Sequence, residues 1–211
     1  AALAAQACQQ TISPSTSPTN NWSAINWTND VICIEGGDHT GRGTLTPSTS
    51  RTSGSFQVLR YTRPNDTADE PWSQSSEDQA KLHQLIFNGA DRWLVHRLTF
   101  PASNNPSAMD RVFLQNGASD LVINRLLVEG APRGSSNNLY SAISAWNCAP
   151  GTADRTTIQH SVIRNNWGVP GTDPVGIAIE CGTDVRIVNN EIYDWSSHNI
   201  QLGHNAGPTM P

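Results

Sequence analysis

The chain has 211 residues and a formal net charge of -5, with 13 Lys and Arg residues against 18 Asp and Glu residues. Its length fits one domain, and the lack of a basic block in the sequence argues against nucleic acid as a partner. No apolar run in the sequence approaches the ~18 residues that a membrane span requires. The 13 prolines and 16 glycines favour a turn-rich all-β protein.

Residues 1–30 are predicted to form an N-terminal cap and connector. Ala, Leu and Gln dominate residues 1–10 and favour a short helix, which would cover the open end of a repeat structure. Residues 11–21 are rich in Ser, Thr and Pro and predict an extended connector. Trp22 and Trp27 are expected to pack onto the domain that follows.

From residue 31 onwards, short apolar segments alternate with corners made of Gly, Asn and Asp. Strands are predicted at Val31–Glu35, 44–46 and 56–61. A unit with an apolar residue at each end then recurs at 95–100, 123–128, 158–163 and 187–192, and its first residues are 28, 35 and 29 positions apart. A β-patterned repeat of about 30 residues is typical of a solenoid, because stacked coils bury one continuous apolar face.

The corners and the opening strands carry a resemblance to a known family. Asn88-Gly-Ala-Asp, Asn116-Gly-Ala-Ser-Asp and Cys181-Gly-Thr-Asp precede three of the repeated units. Over roughly residues 84–204 the pattern resembles the right-handed parallel β-helix of the pectate-lyase-like superfamily, which has three strands per coil. The opening from Val31 is similar to that of chondroitinase-B-like and alginate-lyase-like members. The resemblance implies that residues 31–211 form such a β-helix.

The four cysteines predict two disulfides and an oxidising compartment. Cys148 and Cys181 fall at nearly the same corner of successive coils, where stacked strands lie about 4.8 Å apart, a spacing that a disulfide can bridge. Cys8 and Cys33 would then pair near the N-terminus. Four buried free thiols are the alternative interpretation.

A column of side chains is predicted along one face of the coils. Aligning the first strands of the coils on their Asn or Cys corner places Phe87, Gln115, Trp146, Glu180 and His204 together. Trp146 and Gln115 would bind a sugar chain, Glu180 would act as a base or metal ligand, and His204 would act as an acid or base. The alternative is a solvated face with one chance aromatic residue.

A second cluster of polar residues surrounds the last loops. Asp173, Asp184 and Asp194 are candidate Ca²⁺ ligands or members of a paired-carboxylate site, and Trp195 and His198 beside them are candidate substrate contacts. Corner aspartates such as Asp184 also serve as turn formers.

The resemblance implies a secreted carbohydrate-active protein, extracellular or periplasmic. We expect a polysaccharide lyase that cleaves an acidic, uronate-containing polysaccharide by β-elimination. In the resembled lyases the base is a Lys or Arg on the first-strand face, and Arg186 and Lys81 are the nearest basic residues here. Arg or Ca²⁺ would neutralise the uronate carboxylate. A glycoside hydrolase with a paired-carboxylate site and a non-catalytic carbohydrate-binding or tailspike-like module remain alternatives.

The final residues predict an incomplete solenoid. Residues 200–204 match the first strand of a further coil, and residues 205–211 carry no second strand. Because a coil with uncovered strand edges recruits partners, we expect a second chain or a further C-terminal segment to complete the β-helix.

Overall fold

The computed structural model describes residues 7–14, 22–48, 55–62, 79–102, 110–131, 140–146, 148–166, 174–195 and 197–203. These residues form short β-strands and two single 3₁₀ turns, Trp22–Ala24 and Thr40–Arg42. In chain order the strands are β1 (Gln10–Ile12), β2 (Val31–Glu35), β3 (Gly37–Asp38), β4 (Thr44–Leu45), β5 (Gln57–Thr62), β6 (Ala80–Lys81), β7 (Gln84–Asn88), β8 (Trp93–His96), β9 (Thr99–Phe100), β10 (Asp110–Gln115), β11 (Val122–Asn124), β12 (Leu127–Glu129), β13 (Ser141–Ala145), β14 (Thr157–Gln159), β15 (Val162–Asn166), β16 (Val175–Ile179), β17 (Arg186–Val188), β18 (Glu191–Trp195) and β19 (His198–Leu202).

The strands build three parallel sheets, which are the three sides of a parallel β-helix. Sheet A has the order β1-β2-β5-β8-β11-β14-β17, sheet B the order β18-β15-β12-β9-β6-β3, and sheet C the order β19-β16-β13-β10-β7-β4. Each regular coil contributes one strand to sheet C, then one to sheet A, then one to sheet B. The predicted β-helix architecture is therefore confirmed.

The repeated units predicted from the sequence stack in register. Val95, Ile123, Ile158 and Ile187 are neighbours in sheet A. The other ends of the units, which are Phe100, Val128, Ile163 and Ile192, are neighbours in sheet B. Most of these side chains are fully buried in one continuous core, because each coil covers the apolar floor of the next coil.

The corner between sheets A and B is made by residues with left-handed backbone. The corner residues are Arg97, Arg125, His160 and Asn189, with φ angles of 59°, 56°, 52° and 53°. At the last two coils the side chain of Asn190 bridges this corner. The Ser161 N–H donates to Asn190 Oδ1, and Asn190 Nδ2 donates to the Ile158 carbonyl, both over 2.9 Å. Polar groups at this corner are thereby hydrogen-bonded within the protein.

The corner between sheets C and A carries charges that alternate in sign from coil to coil. Its left-handed residues are Arg92, Asp120, Arg155 and Asp184, with φ angles of 60°, 52°, 52° and 56°. Arg155 donates two hydrogen bonds to Asp120, over 2.8 Å and 2.7 Å. These bonds hold the pKa of Asp120 below its usual value. The alternation avoids the repulsion that stacked like charges would produce.

The N-terminus departs from the sequence prediction. Residues 7–10 form no helix, and β1 pairs with β2 as the first strand of sheet A, so the sheet begins before residue 31. The predicted capping helix over residues 1–10 is therefore not seen, and residues 1–6 lie outside the described residues. A strand forms here because β2 offers an unpaired edge, whose hydrogen bonds outweigh the weak helix preference of a short peptide.

The predicted disulfide between Cys8 and Cys33 is confirmed. It joins the segment before β1 to the middle of β2, across a sequence separation of 25 residues. A disulfide of this kind is typical of oxidising compartments such as the extracellular space.

Replacing both Cys8 and Cys33 with Ser should lower the free energy of unfolding by about 2–4 kcal/mol, because the unfolded chain regains the entropy of an open loop. Urea denaturation of the double variant would measure the loss. Cys148→Ser, at an exposed free thiol, is the control and should change stability by less than about 0.5 kcal/mol. Equal stabilities of the double variant and the wild-type protein would contradict a structural role for the bond.

Candidate functional site

The outer face of sheet C brings together three of the residues predicted from the sequence. Ala145 pairs with Ile179 across β13 and β16, and Phe113 pairs with Ser144 across β10 and β13. The same register places Gln115, Trp146 and Glu180 side by side at the ends of neighbouring strands. All three are partly exposed, and parallel strands are about 4.8 Å apart, so their side chains form a row.

At both ends of the predicted column, the residues that the structure places beside Gln115 and Glu180 differ from the predicted ones. Phe87 pairs with Leu114 rather than with Gln115, and its side chain is fully buried in the core. Asn88 is the residue beside Gln115. At the other end Leu202 pairs with Ile179, so Gly203 is the next residue in register with Glu180, and His204 lies outside the described residues.

Asp110 is the residue of sheet C whose chemistry the fold changes most. It begins β10, pairs with Ser141 of β13, and is only 7% exposed. The indole N–H of Trp146 donates to Asp110 Oδ1 over 3.5 Å. Burial raises the pKa of Asp110 from 3.8 to about 6, against the hydrogen bond from Trp146 and the nearby Ser144 and Ser141, which lower it. Desolvation outweighs these donors, so the carboxyl group takes up a proton at mildly acidic pH.

The hydrogen bond to Asp110 also fixes how Trp146 lies on the sheet. Trp146 follows the last residue of β13, whereas Asp110 pairs with the first residue of that strand. The indole therefore reaches back along β13 toward Asp110. A partly exposed indole anchored in this way offers apolar surface to a ligand.

Arg111 lies next to Asp110 but has a different role. Its guanidinium donates from Nη1 to the His83 carbonyl over 2.9 Å and from Nη2 to the Pro101 carbonyl over 3.0 Å. Burial lowers the pKa of Arg111 to about 10. It is the one Arg or Lys in the described strands of sheet C. Because both of its terminal nitrogens bind main-chain carbonyls, Arg111 ties β10 to the preceding chain.

Two residues predicted as part of the site are placed elsewhere. Arg186, the expected base, is exposed in β17 of sheet A and is therefore on a different side of the coil from Asp110 and Trp146. Trp195, expected to contact substrate, is 9% exposed in β18 of sheet B and belongs to the core. The left-handed backbone of Asp194, with a φ angle of 57°, breaks the side-chain alternation along β18 and turns Trp195 inward.

His198 is exposed at the first position of β19, where Ser197 Oγ lies 2.8 Å from its Nδ1. It is in sheet C but next to Val175, at the opposite end of the strands from Glu180. The strand direction thus separates it from the row of Gln115, Trp146 and Glu180.

The two candidate calcium ligands in the described residues do not lie close together. Asp184 is exposed at the corner between sheets C and A, whereas Asp194 is exposed in β18 of sheet B. Within the described ranges, no three His, Cys, Asp or Glu side chains form a group that could hold a metal ion. Asp173 lies outside those ranges, so a calcium site that includes it stays a prediction.

The predicted disulfide between Cys148 and Cys181 is wrong, because both residues are free thiols. The Cys181 thiol instead donates to the Ala145 carbonyl over 3.5 Å. Burial and the neighbouring Cys148 raise the pKa of Cys181, which keeps it protonated and unreactive at neutral pH.

Sequence reasoning missed Asp110, Ser141 and Ser144. Asp110 directly precedes the alternating segment Arg-Val-Phe-Leu-Gln. That position at a strand start was the available signal. Nothing local indicated the contact with Trp146, which is 36 residues away in the sequence.

The described residues include no helix long and apolar enough to cross a membrane. Comparison of the chain with protein-family models, with curated proteins and with solved structures gave no match. The resemblance to the pectate-lyase-like superfamily therefore stays a prediction from the sequence.

Proposed function

We propose that this is a secreted carbohydrate-active enzyme that binds a polysaccharide across the outer face of sheet C and cleaves its glycosidic bonds by acid–base catalysis. The observation that carries the proposal is the buried Asp110 carboxyl, with its pKa raised to about 6 and with the Trp146 indole hydrogen-bonded to it. A raised carboxyl pKa beside an aromatic platform suits a proton donor to a sugar leaving group.

Binding is assigned to the row of Gln115, Trp146 and Glu180. An aromatic ring contributes apolar area on which a sugar ring can stack, and the amide and carboxylate on either side can bind sugar hydroxyls. The row runs from coil to coil, so a glycan lying along the helix axis would meet one of these side chains about every 4.8 Å.

Asp110 is assigned the role of general acid. A protonated carboxyl donates to the glycosidic oxygen as the bond breaks, and general acid catalysis of this kind contributes about 10²–10⁴-fold in rate. Glu180 lies at the opposite end of the strands from Asp110, which is in register with Val175 through Ser141. Glu180 is therefore assigned to binding.

A hydrolase is favoured over the lyase expected from the sequence. A lyase must neutralise the uronate carboxylate and remove the adjacent proton, for which Arg, Lys or a metal ion is suited. In the described strands of sheet C the one such side chain is Arg111, whose terminal nitrogens bind the His83 and Pro101 carbonyls. Acid catalysis by Asp110 therefore fits this face better than β-elimination.

The product of the reaction tests the proposal. The purified protein is incubated with neutral and acidic polysaccharides, and the release of reducing ends is measured together with the ultraviolet absorbance of unsaturated uronates. New reducing ends without that absorbance support a hydrolase. Unsaturated products would contradict it in favour of a lyase, and binding without cleavage would indicate a carbohydrate-binding module.

Trp146→Ala should weaken the affinity for a cleaved or bound glycan by about fivefold, since the loss of one stacking face is worth on the order of 1 kcal/mol. Isothermal titration calorimetry with a non-hydrolysed oligosaccharide would measure it. Tyr193→Ala removes an exposed aromatic side chain from sheet B and is the matched control, expected to leave affinity unchanged. Equal losses of affinity in both variants would show that Trp146 is not part of the glycan-binding site.

A further inference from the structure

Two buried hydroxyl groups lie beside Asp110. Ser141 and Ser144 of β13 are both 0% exposed, and Ser141 pairs directly with Asp110 across the two strands. Burial raises the pKa of the Asp110 carboxyl, and both serine side chains act against that rise. Neither hydroxyl oxygen has a hydrogen-bond partner within the described residues. Buried polar groups in native proteins are nearly always hydrogen-bonded, so these two hydroxyls need an acceptor or a donor.

The Asp110 carboxyl has acceptor sites left for these hydroxyls. Its Oδ1 accepts the indole N–H of Trp146, whereas an ionised carboxylate has about four acceptor sites on its two oxygens. Neither ion pair found in the described part of the chain includes Asp110. The strands stacked around β10, which are β7, β13 and β16, carry no charged side chain. Hydroxyl dipoles are therefore what β13 offers to the charge of Asp110.

The main chain of Asp110 is held from the preceding coil. Gln84 Nε2 donates to the Asp110 carbonyl over 2.9 Å, and Thr44 Oγ1 donates to Gln84 Oε1 over 2.8 Å. The other titratable groups at this end of β7 and β10 are His83 and Arg111, and burial lowers the pKa of both. Because Arg111 binds main-chain carbonyls through its terminal nitrogens, the carboxyl is left to the groups of β13 and Trp146.

The two kinds of donor around Asp110 differ in what they can do. An indole N–H only donates, so Oδ1 remains an acceptor and the proton of the acid form belongs on Oδ2. A serine hydroxyl both donates and accepts. It can accept the Oδ2 proton of the acid and, after rotation, donate to Oδ2 of the carboxylate. A hydroxyl therefore stays hydrogen-bonded in both protonation states of Asp110.

We propose that Ser141 and Ser144 are positioning residues for Asp110, whose hydroxyls hydrogen-bond Oδ2 and turn from acceptor to donor when the acid gives up its proton. In the reaction the Oδ2 proton moves to the glycosidic oxygen as the carbon–oxygen bond breaks, and a proton released by the attacking water restores the acid. The serines hold Oδ2 in place and lose no proton of their own. The effect on cleavage rests on the proposed function, whereas the hydrogen bonds do not.

Ser141→Ala and Ser144→Ala test the hydrogen bonds without any substrate. The carboxyl carbon of Asp110 is titrated by ¹³C nuclear magnetic resonance, and its signal is identified by its absence in Asp110→Asn. Hydrogen bonds to an ionised acceptor are stronger than those to a neutral one. Each substitution should therefore raise the pKa of Asp110 by about half a unit to one unit.

Thr156→Val is the matched control. Thr156 is also 0% exposed, and its hydroxyl also has no hydrogen-bond partner in the described ranges. It directly precedes β14 of sheet A and is not among the groups that shift the pKa of Asp110. The control should leave that pKa unchanged, so the comparison separates a specific contact with Asp110 from the general loss of a buried hydroxyl.

The pH dependence of cleavage gives the second measurement. In Ser144→Ala the decline of kcat at higher pH should move upward by the same amount as the pKa, because the acid form persists to higher pH. KM should be unchanged, since neither serine is exposed to a glycan.

Two results would overturn the role of the serines. They are an unchanged pKa of Asp110 in both alanine variants, and an equal shift in Thr156→Val. Cleavage with an unchanged pKa would contradict the serine role alone and leave the proposed function standing. A raised pKa in a protein that cleaves no glycan would support the hydrogen bonds and contradict the proposed function.

Discussion

Asp110→Asn is expected to reduce glycan cleavage by about 10²–10⁴-fold, because the amide cannot deliver a proton, and at the same time to stabilise the fold at neutral pH. The pKa of Asp110 is raised from 3.8 to about 6 by burial. Above pH 6 the group is charged in both the folded and the unfolded states, and the folded state bears the cost of burying that charge. A difference of about two pKa units corresponds to about 3 kcal/mol.

The pH dependence follows from the same shift. Below about pH 4 Asp110 is protonated in both states and does not destabilise the fold, whereas its penalty grows as the pH rises from about 4 to about 6. Wild-type stability should therefore fall over this window relative to that of Asp110→Asn. Cleavage should also decline as the pH rises through about 6, since the acid form of Asp110 is lost.

Urea denaturation between pH 4 and 8 and initial rates over the same range would measure these effects. Asp120→Asn is a matched control, because Arg155 lowers the pKa of Asp120. This control should lose a little stability at neutral pH and keep full activity. If Asp110→Asn is less stable than the wild-type protein at pH 7, or keeps its cleavage rate, Asp110 is not a destabilised catalytic acid.

Phe87→Ala is expected to lower the free energy of unfolding by about 3–5 kcal/mol, the usual loss for a large aromatic side chain in a closed core. Phe87 is 0% exposed and pairs with Leu114 on the inward side of sheet C. Phe113 is the matched control, since it faces outward one coil later, is partly exposed and pairs with Ile86. Phe113→Ala should cost less than about 2 kcal/mol.

The comparison of the two phenylalanine variants tests the register of sheet C. The alignment of corner asparagines in the sequence predicted that Phe87 would face the same way as Gln115 and Trp146. If urea denaturation shows that Phe113→Ala loses more free energy of unfolding than Phe87→Ala, the alignment predicted from the sequence is correct and the register of sheet C in the structure is wrong.

The sequence by itself determined the coil and its corners. The unit that begins at Val95, Ile123, Ile158 and Ile187 appears in the structure in the predicted register. This follows because alternation of side chains along a strand and left-handed residues at corners act over a few neighbouring positions. The pairing of Cys8 with Cys33 was also correct.

Alignment of the coils by sequence assigns some residues to the wrong face of a sheet where the corners differ in length. From Phe87 to the left-handed Arg92 is five residues, whereas from Leu114 to the left-handed Asp120 is six. An alignment on Asn88 and Asn116 is therefore shifted by one position, and a shift of one position turns a strand residue from the outer face to the core.

Contacts between coils were decided by the tertiary structure alone. The hydrogen bond from Trp146 to Asp110 joins residues 36 positions apart, and the pKa of Asp110 depends on how completely the folded sheet excludes water around it. The exposure of Leu202 likewise depends on what is stacked above its coil, not on its own neighbours in the chain. Strand pattern is a local property of the sequence, whereas burial and desolvation are properties of the assembled coils.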